Sequence, residues 1–192
     1  MIQFTDLTGL ASCAIAMVAA ALMLPGVARI PSLYRLGLAC AVAIAVLIPF
    51  GGLPLAAYVR GVSGDLSIAT LVLLVLALQR RLRTEGTPAP TAPILFMWIV
   101  PAALVLYPLA LGMGSFDPYR LGYGNPWLLG ALLLLTLFAY SRQQRQAVLV
   151  ITLAVLAWAL GWYESPNLWD YLLDPWLAIY AVGALAKRVL TS

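Results

Sequence analysis

The stretch from Ser67 to Arg83 reads SIATLVLLVLALQRRLR, an apolar run that ends in three arginines. Such a run is typical of a transmembrane helix whose cytoplasmic end is marked by basic residues. On both sides of this stretch the chain consists of apolar runs separated by short polar segments, and these segments are alternately acidic and basic. The acidic segments contain Asp6, Asp65, Asp117, Glu164, Asp170 and Asp174, and the basic segments contain Arg29, Arg35, Arg80, Arg81, Arg83, Arg142, Arg145, Lys187 and Arg188.

This charge alternation predicts both the number of crossings and their orientation, because cytoplasmic loops of membrane proteins retain Lys and Arg. We predict an all-α integral membrane protein, a bundle of seven transmembrane helices with the N-terminus outside and the C-terminus cytoplasmic. Residues 1–192 are predicted to form a single transmembrane domain. The predicted helices cover residues 9–28, 36–58, 62–79, 94–113, 127–141, 147–162 and 171–186.

The composition favours the same class, with 64% hydrophobic and 9% charged residues. This leaves too little polar surface to cover a water-soluble fold of this length. The short loops predict a prokaryotic inner membrane location. Nine of the eleven basic residues lie at the predicted cytoplasmic helix ends, so the net charge of +4 does not indicate a nucleic-acid partner. Cys13 and Cys40 lie inside predicted helices, which gives no disulfide or metal framework.

Two local signals refine the predicted helices. The second helix contains Pro49-Phe-Gly-Gly-Leu-Pro54, where two prolines around a glycine pair predict a kink or break. The third helix follows Gly64 and Asp65, and the Asp65 carboxylate is predicted to cap its first turn.

Polar and aromatic residues concentrate in three predicted extracytoplasmic loops, which belong to one small bundle. Carboxylates with Trp and Tyr are a common composition for saccharide and ammonium recognition. Two arginines on that side are the natural partners of the carboxylates. The predicted ligand-binding residues are Asp65, Asp174, Asp170, Arg120, Arg60, Asp117, Glu164, Tyr123 and Trp169.

A structural role competes with the binding role at several of these positions. Asp117 precedes a proline, where turn formation explains it. Trp169 has the position of a packing or interfacial aromatic residue, and Arg60 paired with a carboxylate would hold loops together. Asp65 and Asp174 carry the stronger functional prediction, because an ionisable group placed below the membrane surface is costly unless it is used or paired.

The predicted function is binding of a polar headgroup or sugar at an outward-facing site, in envelope lipid or glycan transport or presentation. The expected partner is a membrane lipid or lipid-linked glycan, and no cofactor or metal is expected. One alternative is an accessory or scaffold subunit that packs against another membrane subunit or a second copy. The chain has no histidine, so the other alternative, a transferase or hydrolase acting on a lipid-linked substrate, would depend on carboxylates.

Overall fold

A computed structural model describes residues 4–83 and 93–191 of the chain. These residues form nine α-helices, two short 3-10 helices and a two-stranded antiparallel sheet. In chain order the elements are α1 (Phe4–Met23), a 3-10 turn (Val27–Arg29), α2 (Ser32–Leu47), β1 (Pro49–Phe50), β2 (Leu53–Pro54), α3 (Leu55–Ser63), α4 (Ile68–Leu82), α5 (Pro93–Ala110), a second 3-10 turn (Pro118–Gly122), α6 (Pro126–Ser141), α7 (Arg145–Ala159), α8 (Trp169–Leu172) and α9 (Pro175–Thr191).

The all-α character is present, but the transmembrane class is contradicted. Within residues 4–83 and 93–191, no helix combines the length and the hydropathy needed to cross a bilayer. Helices α2 and α6 have 16 residues each and α7 has 15. At about 1.5 Å per residue these three helices reach roughly 24 Å, short of the roughly 30 Å hydrocarbon core. The predictions of seven transmembrane helices, of their orientation and of an inner-membrane location were therefore wrong.

The break predicted in the second helical region is present. Helix α2 ends at Leu47 and α3 begins at Leu55, and a hairpin between them pairs Pro49 with Pro54. The two turn residues, Gly51 and Gly52, have positive φ angles of 64° and 98°. Two successive positive φ values are the signature of a type I′ turn, which glycine adopts without steric strain.

The described chain divides into two compact units. The first unit comprises residues 4–66 and 71–83, and the second comprises residues 67–70 and 93–191. The single domain predicted over residues 1–192 stays a prediction, since compactness alone does not show that a unit folds independently.

The first unit packs around the contact between α1 and α2. Val18 and Leu22 of α1 are buried against Ala39 of α2, and Leu78 and Leu82 of α4 cover them. The small side chain of Ala39 allows the helix backbones to approach closely. This packing brings the end of α4 beside the start of α2, where Arg35 lies.

The second unit is built on two helix pairs, α5 with α9 and α6 with α7. Phe96 of α5 and Tyr180 of α9 meet edge to face, with ring centroids 5.6 Å apart. Ala139, Ala147 and Ala154 on α6 and α7 are fully buried. The short helix α8 packs against α7, and the loops around it contain most of the polar residues discussed below.

Helix α6 also keeps an apolar strip at its surface. Leu133, Leu134, Leu137 and Tyr140 are 60%, 69%, 55% and 69% exposed. Their spacing places them along one side of the helix.

Candidate functional site

Two loops of the second unit are fastened together by buried hydrogen bonds. The side-chain amide of Asn167 donates to the carbonyl oxygen of Tyr119 at 2.9 Å, and its side-chain oxygen accepts from the Trp169 amide at 2.9 Å. The Leu168 amide donates to the Gly122 carbonyl oxygen, also at 2.9 Å. Asn167 is fully buried, so these bonds are shielded from water and hold the loops in one arrangement.

Gly122 permits this close approach. A Cβ atom at that position would lie 1.7 Å from Asn167 Oδ1 and 2.8 Å from Trp169 Cδ1. Both distances are far below van der Waals contact, so any side chain there would displace the buried amide. The glycine is thus required by packing and not by its backbone angle.

Asp170 is the centre of a polar cluster beside these loops. The Tyr119 hydroxyl donates to both carboxylate oxygens at 2.9 Å, and the Ser165 hydroxyl donates to Oδ2. The Asn167 amide donates to the Ser165 oxygen at 3.1 Å, which orients the hydroxyl. Tyr123 stands edge to face with Tyr119, with centroids 6.0 Å apart. We call Asp170, Tyr119 and Ser165 the Asp170 cluster.

The electrostatics around the cluster keep nearby phenols neutral. Burial raises the pKa of Tyr119, and its hydrogen bond to Asp170 raises it further. Burial also raises the pKa of Tyr107, with contributions from the charges of Asp174 and then Asp170. The Tyr107 hydroxyl is buried and has no hydrogen-bond partner within residues 4–83 and 93–191. A group that donates hydrogen bonds or carries positive charge would be favoured in this environment.

An apolar cavity of about 320 Å³ lies in the same unit and is open on one side. Helices α5, α6 and α7 form most of its wall, and α8 and the residue after it complete the wall. The indole N–H of Trp169 already has an acceptor, because it donates to the Pro118 carbonyl oxygen at 3.0 Å. The lining residues are Leu95, Trp98, Ile99, Ala102, Leu128, Ala131, Leu132, Leu135, Val150, Ile151, Trp169, Leu172 and Leu173.

The cavity and the Asp170 cluster share the short helix α8. Trp169 and Leu172 line the cavity, and Asp170 stands between them in the sequence. Consecutive Cα atoms are about 3.8 Å apart, so the backbone that supports the polar cluster also supports the apolar wall.

Asp174 has a different environment from Asp170. The amide and hydroxyl of Ser67 donate to its Oδ2 at 2.9 and 2.7 Å, and the Thr70 hydroxyl donates there too. The Leu177 amide donates to Oδ1 at 2.8 Å, so the carboxylate caps the start of α9. It is only 5% exposed. Four donors from the chain saturate this buried carboxylate, which gives it a structural role.

The start of α4 is capped differently from the prediction. The Thr70 amide donates to the Ser67 hydroxyl oxygen at 3.1 Å, so Ser67 is the capping residue. Asp65 instead accepts two bonds from Arg60, from Nε at 2.6 Å and from Nη2 at 3.0 Å. Both residues belong to the first unit, and the other seven predicted site residues belong to the second. Gly9 packs against the pair, since a Cβ there would lie 2.3 Å from Arg60 Nε.

The other predicted site residues lie at the surface around the loops. Asp117 accepts from the Tyr119 amide at 2.9 Å and caps the Pro118–Gly122 turn, which is the turn role weighed against binding. Arg120 and Glu164 are exposed, and Tyr123 is 57% exposed. Of the nine predicted site residues, Trp169 lines the cavity and Asp170 is the centre of the polar cluster.

Sequence reasoning missed several residues of this arrangement. Ser165 and Asn167 lie five and three residues before Asp170, and their signal is that Ser and Asn accept from nearby amides in tight loops. Tyr119 is distant from Asp170 in the sequence, and no local pattern pairs them. The cavity residues carry no signal of their own, since nearly every helix of the chain is apolar.

No group of three or more His, Cys, Asp or Glu side chains is close enough to hold a metal ion in residues 4–83 and 93–191. No family model, no curated protein and no solved structure matches this chain.

Proposed function

We propose that the second unit binds a single-chain amphiphile, with the apolar chain in the cavity and a hydroxyl-bearing headgroup at the Asp170 cluster. The observation that carries the proposal is the cavity of about 320 Å³ with an almost wholly apolar lining. This volume lies at the lower end of the range of roughly 300–1,000 Å³ for small-molecule sites. Apolar cavities hold no ordered water, so a hydrocarbon chain is the occupant that the lining favours.

The polar end of the ligand follows from the unused capacity of Asp170. An ionised carboxylate accepts about four hydrogen bonds, and Asp170 receives bonds from the hydroxyls of Tyr119 and Ser165. The side chain is half-buried, so its remaining acceptor positions can meet a ligand from solvent. Headgroups that donate hydrogen bonds, such as glycerol or a sugar, fit this requirement.

A pair of matched ligands tests the proposal. Monolauroylglycerol and methyl laurate have the same chain, but only the first carries hydroxyl groups. We expect both to bind, with the glycerol ester about tenfold tighter because one charge-assisted hydrogen bond contributes about 1.5–3 kcal/mol. Equal affinities would contradict the assignment of Asp170 to the headgroup.

Substitutions in the cavity test the chain site separately. Ala102→Phe on α5 and Ala131→Phe on α6 each place a ring in the cavity, whereas Ala110→Phe lies on α5 outside its wall. Excluding about four methylene groups at about 0.8 kcal/mol each predicts roughly 200-fold weaker binding. Ala110→Phe should bind like the wild type. Wild-type affinity in both cavity variants would overturn the proposal.

A charge-matched pair tests the headgroup site. Asp170→Asn should reduce the preference for the glycerol ester to near one, while Asp117→Asn removes the same charge in the same unit and keeps its turn cap. Binding is measured by isothermal titration at ligand concentrations below micelle formation. Loss of the preference in both variants would indicate a general charge effect instead of a specific contact.

A further inference from the structure

Arg35, in the first unit, is a buried cation without a carboxylate partner among the residues that the structure describes. It lies in the first turn of α2 and is only 7% exposed. Its Nη1 donates to the carbonyl oxygen of Arg81 in the last turn of α4. The final carbonyls of a helix lack partners within the helix, so this bond is a favourable cap. It uses only one of the five N–H groups of the guanidinium.

The other edge of the guanidinium is unused. Nε of Arg35 is fully buried and has no hydrogen-bond partner in residues 4–83 and 93–191. Nη2 is not among the buried unpartnered atoms, so it keeps contact with solvent. A buried N–H donor of a charged group is destabilising when it has no acceptor. This edge therefore requires an acceptor.

In Arg60, the same Nε–Nη2 edge of the guanidinium has a carboxylate partner. There, Nε and Nη2 bind the two oxygens of Asp65 at 2.6 and 3.0 Å. This fork geometry matches carboxylates and phosphates equally well. At Arg35 the equivalent pair of donors is present and the oxyanion is not supplied by a described residue.

The sequence leaves no carboxylate for Arg35 among the described residues of its unit that follow Asp6. Asp65 is the one acidic residue from Leu7 to Arg83, and Arg60 already holds it. Within the described part of the chain, the other charged residues near the end of α4 are basic, namely Arg80, Arg81 and Arg83. An excess of positive charge of this kind attracts anions.

We propose that Arg35 forms a binding site for a phosphate group, with its Nε–Nη2 edge as the fork and its Nη1 bond to Arg81 holding the guanidinium in place. Nη2 reaches solvent and is the first contact of the anion, and the second contact, at the buried Nε, requires the atoms that cover it to move aside. Arg81 and its neighbours on the last turn of α4 supply additional positive charge. The site belongs to the first unit and is independent of the amphiphile site proposed above.

Inorganic phosphate is the first probe, measured by isothermal titration and by thermal unfolding at constant ionic strength set with chloride. We expect phosphate to bind and to raise the unfolding midpoint, because a ligand that binds only the folded state stabilises it. Arg35→Met should weaken binding at least tenfold. Arg142→Met, at an exposed arginine that stacks on Phe138, removes the same charge and should leave binding unchanged.

Arg35→Lys keeps the charge but loses the fork, so it should also weaken phosphate binding if the edge is the binding element. This variant serves if Arg35→Met does not fold. Phosphate affinity that is equal in Arg35→Lys, Arg142→Met and the wild type would overturn the proposal. An equal effect of phosphate and chloride on the wild type would overturn it too.

Glu85 lies outside the described residues and provides a decisive variant. If Glu85 were the partner of Arg35, the wild type would not bind phosphate and Glu85→Gln would create binding, which would overturn the proposal. Glycerol 3-phosphate then distinguishes the source of the phosphate group. Tighter binding than inorganic phosphate assigns the site to a phosphomonoester, and weaker binding assigns it to the free ion.

Discussion

Asp170 and Asp174 lie four residues apart in the same unit, yet their surroundings differ in kind. Asp174 is 5% exposed and accepts four hydrogen bonds from Ser67, Thr70 and Leu177. Asp170 is half-buried and accepts from the hydroxyls of Tyr119 and Ser165. The deeper carboxylate is the one that the chain itself satisfies completely.

The difference shows that depth alone does not identify a binding carboxylate. A buried charge is retained when the fold supplies donors for it, as two helix starts do for Asp174. A ligand site needs acceptor positions that the fold leaves unfilled, and Asp170 has them. Counting hydrogen bonds therefore distinguishes the structural carboxylate from the ligand-binding one. Burial alone would select Asp174 as the binding residue.

The largest expected effect comes from the same truncation at both carboxylates. Asp174→Ala removes a helix cap and leaves buried donors unsatisfied, so it should lower the free energy of unfolding by about 3 kcal/mol. Asp170→Ala should lower it by about 1 kcal/mol, since its donors can reach water. Urea unfolding followed by circular dichroism measures both values. Equal losses would remove the distinction between a structural and a ligand-binding carboxylate.

A pair of glycine substitutions tests the frame that holds Asp170. Gly122→Ala would place a Cβ 1.7 Å from Asn167 Oδ1, so it should destabilise by about 2 kcal/mol through overpacking. Gly130→Ala is the control, because no atom lies within 4 Å of its Cβ position and alanine favours the helix by up to about 1 kcal/mol. Thermal and urea unfolding of both variants should move in opposite directions. A neutral Gly122→Ala would show that the two loops are not tightly joined.

A smaller effect is expected from removing the Tyr119 hydroxyl, which donates a hydrogen bond to Asp170. Tyr119→Phe should cost about 1 kcal/mol of stability, the usual contribution of one hydrogen bond. Tyr123→Phe is the matched control, because the ring contact with Tyr119 remains and Tyr123 is 57% exposed. It should be within about 0.5 kcal/mol of the wild type. A larger loss of stability in Tyr123→Phe than in Tyr119→Phe would contradict the assignment of the stabilising hydrogen bond to Tyr119.

The smallest effect is a dependence of stability on alkaline pH. The pKa of Tyr119 is raised in the folded state by burial and by Asp170, so above about pH 10 the unfolded chain loses its phenolic proton before the folded chain does. The free energy of unfolding should therefore fall as pH rises from about 10 toward the folded-state pKa. Tyr119→Phe should show a shallower fall than the wild type in urea unfolding over that range. An identical slope would assign the effect to other phenols, such as Tyr107.

Helix is present in every region where the apolar runs predicted it, because long apolar runs between turn signals are strong local patterns. The break at Pro49–Pro54 was predictable for the same reason, since proline and glycine act locally. The transmembrane class was wrong because basic residues at helix ends have other uses. Arg35 binds the last turn of α4, and Arg142 stacks on Phe138 at 5.2 Å.

The site was predictable only in part. Asp117 was recognised as a turn residue, and Asp170 and Trp169 were included among the binding residues, whose role stays a prediction. Asp65 was predicted to cap α4, but Ser67 does so. This could not be predicted, because either residue can cap a helix and the nearby Arg60, which binds Asp65, decides between them. The pairing of Tyr119 with Asp170 depends on tertiary packing, which leaves no trace in local sequence.

The hairpin between α2 and α3 determines how far its sheet can grow. A two-residue turn makes Phe50 and Leu53 the hydrogen-bonded pair, so the backbone nitrogens of Pro49 and Pro54 point outward. Proline has no N–H, and neither edge can therefore offer a donor at that position to an incoming strand. Phe50 is 83% exposed, which would otherwise invite strand addition. The two prolines protect this hairpin from edge-to-edge association between copies of the chain.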